Sequence, residues 1–462
     1  MKVSIKRLIC ALFCLCILIG AFSGCSGSKP VDGSTADTGS QGGSGDTTST
    51  GSYVPPVTST ESGAVVIDNP YASIPAEIKG QTVKFATWEN LSSYDFNKFY
   101  QDTGLKAEVY QVRQSGYVNQ IQVKMSSGDY PDVIVDNDGS GFPTTASILQ
   151  PINKCSTVNL SDAIWDQSLI ATATIDGNVY LVNTLNSPWT GANLIYYNKA
   201  LFNKLGEKTP EEYYKKGQWT WETMTNMMKR FSDAGYSPAN INVRMFVGST
   251  GSTFIKWDYK NGKFVNNVKD PNLTAAYEQW CEWSLNGYIG ATMEEFAAGK
   301  AAMYCLGVNG LKSDGHFKNM DPNDIGYCYF PAKDEDSAAK VHAIYRMYGI
   351  AKGAKHANAA GYFIRHFLDY RNYNMDTTFH SARARDFYYE IINTPVSNKS
   401  FTFDGHCAVL AGLEEYYFYN QIGYSTDPND VYTKISSLSN QVDKAVAEGN
   451  KAISSLKNQF KK

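Results

Sequence analysis

The chain has 462 residues, 43% of them hydrophobic and 19% charged, enough to bury a large apolar interior that divides into two or more lobes. Its 42 basic and 45 acidic residues leave a net charge of −3, which argues against a nucleic-acid binder and against an acidic disordered chain. Tyr, Phe and Trp make up 13% of the residues, an excess that by itself names no function.

The amino terminus reads as an export signal over residues 1–24. Lys2, Lys6 and Arg7 precede an apolar run from Leu8 to Phe22, which is short of the roughly 20 residues a bilayer-spanning helix needs. Phe22-Ser23-Gly24-Cys25 resembles a lipobox, with Phe22 in place of the usual Leu, and makes Cys25 the residue that takes a lipid. Residues 25–72 then form a tether: from Ser26 to about Ala64 they are Ser, Gly, Thr and Asp with few aliphatic side chains, too few to offset backbone ordering. Two acyl chains at Cys25 suffice for stable anchoring. Without the signal the balance becomes −6. Of the later cysteines, Cys155, Cys281, Cys305, Cys328 and Cys407 are odd in number and lack CxxC spacing, which favours buried free thiols over disulfides.

From residue 80 the pattern is α/β. Thr82–Ala86 alternates as a strand, Phe96, Phe99 and Tyr100 recur at helical spacing, and Val118, Ile121 and Met125 mark a second helix stopped by Gly128. Pro131-Asp132 opens the strand Val133-Ile134-Val135, so this strand–helix–helix–strand run predicts a parallel, helix-flanked sheet. Thr209-Pro210-Glu211-Glu212 and Thr292-Met293-Glu294-Glu295 carry helix-start signatures. Ala360, Phe363, Ile364, Phe367 and Leu368 form an amphipathic stripe, and Ile435 to Phe460 a long terminal helix with Gly449 as its weak point.

Enzyme signatures are missing: there is no HExxH, GxSxG or Walker A loop, and the six His have no metal-ligand spacing. Asp136-Asn137-Asp138-Gly139 begins like a calcium loop, but its twelfth position is Ser147 where a bidentate Glu is needed. The same residues follow a strand, where open α/β sheets bind ligands, and ligand contact and plain turn chemistry both remain open. A glycoside-cleaving carboxylate pair has no sequence signal of its own. No metal and no cofactor is expected.

Six segments resemble one family in order. Tyr197-Asn198-Lys199-Ala200-Leu201-Phe202 to Gly206 is similar to the YNKxLFxxxG signature of family 1 extracellular solute-binding proteins, the binding components of ABC importers, typically for oligosaccharides. Trp219–Glu222, Phe296–Met303 (FAAGKAAM), Ser127–Val133, Asp176–Tyr180 and Gly353–Leu368 resemble its other segments. The resemblance implies a two-lobed periplasmic-binding-protein-like fold with a multi-crossing hinge, lobe 1 being 80–150 plus 348–395 and lobe 2 being 151–347 plus 396–462. It places the first crossing near Leu149-Gln150-Pro151 and a return near Tyr348. It also implies ligand contacts from Trp88, Glu89 and Asn90 after the first strand, Asp136, Asn137 and Asp138 after the second, Trp189 before the YNK segment, Asn309, and Tyr345 with Arg346. Tyr416, Tyr417 and Tyr419 add a further aromatic cluster. The implied protein is a monomer on the outer face of the bacterial cytoplasmic membrane that delivers an oligosaccharide to ABC permease subunits. A surface glycan receptor feeding a sensor, or a receptor for a non-sugar solute, stands as the alternative.

Overall fold

The computed structural model describes residue 67 and residues 69–459, less 115–116, 138–141, 143, 185–190, 259, 314, 370–378, 393, 395–398, 401–421 and 423–426. In chain order, the first part contains β1 (Thr82–Thr87), α1 (Phe96–Thr103), β2 (Lys106–Gln111), α2 (Tyr117–Ser126), β3 (Val133–Asn137) and β4 (Leu149–Gln150). After α3 (Gln167–Thr172) and the hairpin β5 (Thr174–Ile175)–β6 (Asn178–Val179), a second series begins with β7 (Gly191–Asn198), α4 (Lys199–Leu205), α5 (Pro210–Tyr214), α6 (Trp221–Asp233), β8 (Ser237–Asn240) and α7 (Val243–Ser249). It continues through the hairpin β9 (Ile255–Asp258)–β10 (Lys263–Asn266), α8 (Pro271–Leu285), α9 (Met293–Ala297), β11 (Ala301–Gly307), β12 (Ile325–Cys328) and β13 (Val341–Ile344). The last elements are β14 (Arg346–Ala351), α10 (Ala357–Leu368), α11 (Ala382–Ile392), β15 (Lys399–Ser400), α12 (Val431–Ser437) and α13 (Ser439–Gln459).

The strands form two principal sheets. The first has the order β2-β1-β3-β14-β4, with β1 parallel to β2 and β3, and β14 antiparallel to β3 and β4. The second has the order β15-β13-β7-β11-β8, and β12 shares with β13 one edge of β7, which is antiparallel to all three of its neighbours. The parallel β1–β3 pair matches the expectation. The strand β2 between α1 and α2 does not appear in the sequence pattern, because as an edge strand it leaves Lys106, Glu108, Val109 and Gln111 exposed and has no alternation to read.

Local chemistry explains where elements begin and end. Asp95 caps α1 by accepting from the Lys98 amide, and Gly104 at φ 70° ends it in the left-handed conformation. Thr209 with Glu212, and Thr292 with Glu295, form the two capping boxes expected. The terminal helix breaks at Leu438, not at Gly449. Gly449 is buried, and Asn450 beside it both accepts from the Phe264 amide at 2.9 Å and donates to the Phe264 carbonyl at 2.8 Å, which holds that stretch against β10.

Aromatic side chains pack against each sheet. Phe85 of β1 packs against Phe363 and Phe367 of α10 and Tyr348 of β14, at centroid distances of 5.0–6.0 Å. In the second, Phe246 lies between Trp221 and Trp283, and Phe202 meets Phe231. Helix α10 is not amphipathic as expected: every residue from Ala359 to Leu368 is buried. Its two polar members are paired inside, Arg365 with Asp162 and Asp369, and His366 with Tyr94 and Asp102. The segment before β7 also joins the first sheet, since Val182 bridges to Tyr348 and the Thr184 hydroxyl donates to the Leu368 carbonyl at 2.9 Å. Cys155, Cys281, Cys305 and Cys328 are buried free thiols, and Cys407 lies outside the described residues. Among the described residues, no helix is long and apolar enough to cross a membrane.

Candidate functional site

Strand register gathers the expected site residues from distant parts of the chain. In the first sheet, Arg346 pairs with Asn137 and Met347 with Asp136, so the start of β14 lies beside the end of β3. Ala86 pairs with Ile134, which brings Trp88 and Glu89, just past β1, to the same sheet end. In the second sheet, Gly307 pairs with Asn193 and Ile344 with Gly191. The start of β7 and the ends of β11 and β13 therefore share one end too. A single residue, Tyr345, separates β13 from β14 and joins the two sheet ends directly. The covalent path alone keeps them adjacent.

At this joint Glu89 forms an ion pair with Arg346, both side chains about one fifth exposed (16% and 23%). The guanidinium also sits over the Trp88 ring, 5.7 Å from its centroid, a cation–π contact. Trp88 is half-buried, with Tyr117 of α2 edge-on to it at 5.1 Å. Burial pushes the Glu89 carboxyl above its ordinary value. Arg346 opposes that shift, and so does Lys312, whose charge acts on Glu89 from the segment following β11. Trp88 with Tyr117 beside it, the Glu89 carboxylate and the charges of Arg346 and Lys312 are the groups gathered here, a chemistry suited to a polar ligand with an apolar face.

The other expected residues differ in what they offer. Asn90 is exposed and its side-chain oxygen accepts from the Ser92 amide at 3.0 Å. Asp136 is only 3% exposed, and its carboxylate accepts from the Phe142 amide at 3.3 Å. Tyr345 is buried at the joint, while Asn309 is exposed in the 3-10 turn Val308–Leu311 after β11. The backbone of Asn137 ends β3, but its side chain, together with Asp138, Trp189, Tyr416, Tyr417 and Tyr419, lies outside the described residues. Sequence reasoning missed Tyr117 and Lys312. The first reads as an ordinary helix residue and the second as a loop lysine, and only the fold brings either to Trp88 and Glu89. Among the described residues, no group of three or more His, Cys, Asp or Glu is placed to hold a metal ion.

No curated protein matches this chain in sequence. Solved structures share its fold. The cyclic α-maltosyl-1,6-maltose binding protein of Arthrobacter globiformis superposes with a TM-score of 0.58 at 13% identity, over 81% of this chain and 99% of that one. The sugar-binding protein MalE of Xanthomonas citri gives 0.57 at 15% identity, over 79% and 98%. The extracellular solute-binding protein of Staphylococcus aureus in complex with maltose gives 0.56 at 13%, over 83% and 99%. These likenesses establish the two-lobed α/β fold. Residues 79–371 match the description of bacterial extracellular solute-binding proteins, and the chain belongs to that family.

Proposed function

We propose that this protein captures a carbohydrate in the cleft between its two lobes and hands it to an ABC permease, without covalent chemistry. The observation that carries the reading is the meeting of two sheet ends at Tyr345, with half-buried Trp88 beside the Glu89–Arg346 pair. A sugar presents an apolar face and a rim of hydroxyls. Trp88 covers the first, and the carboxylate and guanidinium bond the second. Arg346 lies over one face of Trp88, so the sugar takes the ring's remaining surface. The sugar ligands of structures with the same fold support this reading.

On this reading Tyr345, the single residue between β13 and β14, is one crossing between the lobes. Lobe closure about the hinge couples capture to recognition by the permease. Acylation at Cys25 and the tether behind it hold the protein, as a monomer, at the outer face of the membrane.

A thermal-shift screen against neutral oligosaccharides tests the reading, because a ligand of the native state raises the melting temperature by mass action. Trp88→Ala is expected to abolish the shift produced by the cognate sugar. If no sugar moves the melt at millimolar concentration, the carbohydrate claim fails; an undiminished shift in Trp88→Ala removes Trp88 from the site.

A further inference from the structure

We propose that Tyr117 is a positioning residue of the ligand site: its hydroxyl clasps the last rung between β1 and β3 while its ring supports Trp88. The inference rests on the reading of Trp88 as a ligand platform. Ala86 pairs with Ile134, so the Ala86 carbonyl and the Val135 amide are the last facing groups of this parallel ladder. The Tyr117 hydroxyl donates to that carbonyl at 2.8 Å and accepts from that amide at 3.1 Å. One side chain from α2 thereby ties together two strand ends that are about 50 residues apart in sequence.

The candidate site lies just beyond those two ends. Thr87 ends β1 and Trp88 follows it, while Asp136 and Asn137 end β3. The Tyr117 ring meets Trp88 at a centroid distance of 5.1 Å and an interplanar angle of 83°, and Arg346 lies over the Trp88 ring, so both steady the indole. Tyr117 itself is 8% exposed and anchored at the start of α2. Burial raises its phenol pKa, which keeps the hydroxyl protonated and able to donate. A ligand platform needs its supporting side chains locked within a fraction of an ångström, and this residue supplies both a hydrogen-bonded anchor and a packing surface. Phe in its place retains the ring and removes the clasp.

The test compares wild type with Tyr117→Phe and Tyr117→Leu by three measurements. The first is the indole N–H NMR signal of Trp88, assigned with Trp88→Phe in ligand-free protein. The second is calorimetric affinity for maltose, maltotriose, cellobiose and raffinose, and the third is the melting temperature. Tyr117→Phe, which removes both hydrogen bonds of the hydroxyl, is expected to shift the Trp88 signal and weaken binding of whichever sugar binds by about tenfold. Tyr117→Leu should move the signal further. A lower melting temperature with an unmoved Trp88 signal would make Tyr117 merely structural and overturn the proposal. If wild type binds none of the four sugars, the carbohydrate reading is in question for them, while the Trp88 signal still decides the role of Tyr117.

Discussion

Acidification between about pH 6 and pH 4 should destabilise this protein through one histidine. His342 on β13 is 3% exposed, and its Nδ1 accepts from the Asn193 side-chain amide at 2.7 Å, which selects the neutral ring. Gly248 is packed against the ring so tightly that a Cβ there would fall 2.4 Å from the imidazole Cδ2. Burial, with Arg244 adding a like charge, lowers the His342 pKa from 6.5 to about 3. The unfolded chain therefore binds this proton more readily than the folded one. The stabilising effect of the neutral ring is complete above 6.5 and is lost as pH falls towards 3. One proton's uptake on unfolding costs about 1.4 kcal/mol per pH unit, so the contribution falls by about 2–3 kcal/mol between pH 6 and pH 4. Urea denaturation of wild type and His342→Gln at both pH values isolates the effect, since the carboxylates titrate in both proteins. Wild type should lose about 2–3 kcal/mol more than the variant over this interval. Equal losses would refute the assignment of the shift to His342.

Three further outcomes rest on particular contacts. Arg365→Met strands the carboxylates of Asp162 and Asp369, 2.8 and 3.0 Å from the guanidinium and nearly inaccessible, and should cost about 3–5 kcal/mol by thermal unfolding. A loss under about 1 kcal/mol would show that the pair is solvated like a surface bridge. Gly326→Ala puts a Cβ 2.0 Å from the Tyr197 ring and should destabilise by about 1–3 kcal/mol, read as a lower urea midpoint. Cys25→Ser should move the protein from the membrane fraction to the soluble one in fractionated cells, and continued sedimentation with membranes would argue against the lipid anchor.

Much of the fold was readable because short-range rules decide it. Capping by Thr209 and Thr292, the Gly stop after α2 and the alternation of β1 all depend on neighbours within a few residues. The YNK segment and the Pro131-Asp132 strand entry were equally local, and the family resemblance they carry is what made Trp88, Glu89 and Arg346 expected ligand contacts. The expectations that differ from the structure concern the environment of a segment. The stripe on α10 implied a solvent face, but Asp162 and Asp102, about 203 and 264 residues from their partners, let Arg365 and His366 go inside. Likewise, β2 has a partner on one side only, and Gly449 stays within the terminal helix because Asn450 beside it is bonded to Phe264 of β10.

The sequence by itself determined the α/β pattern, the helix caps, the export signature and the chemical types at the strand ends, because each is encoded within a few neighbouring residues. Only the tertiary structure decided that Glu89 pairs with Arg346, that Arg346 covers one face of Trp88, and that Tyr117 anchors the strands beneath it. The physical reason is distance along the chain: strand register, not local propensity, brings residues some 260 positions apart into one ion pair.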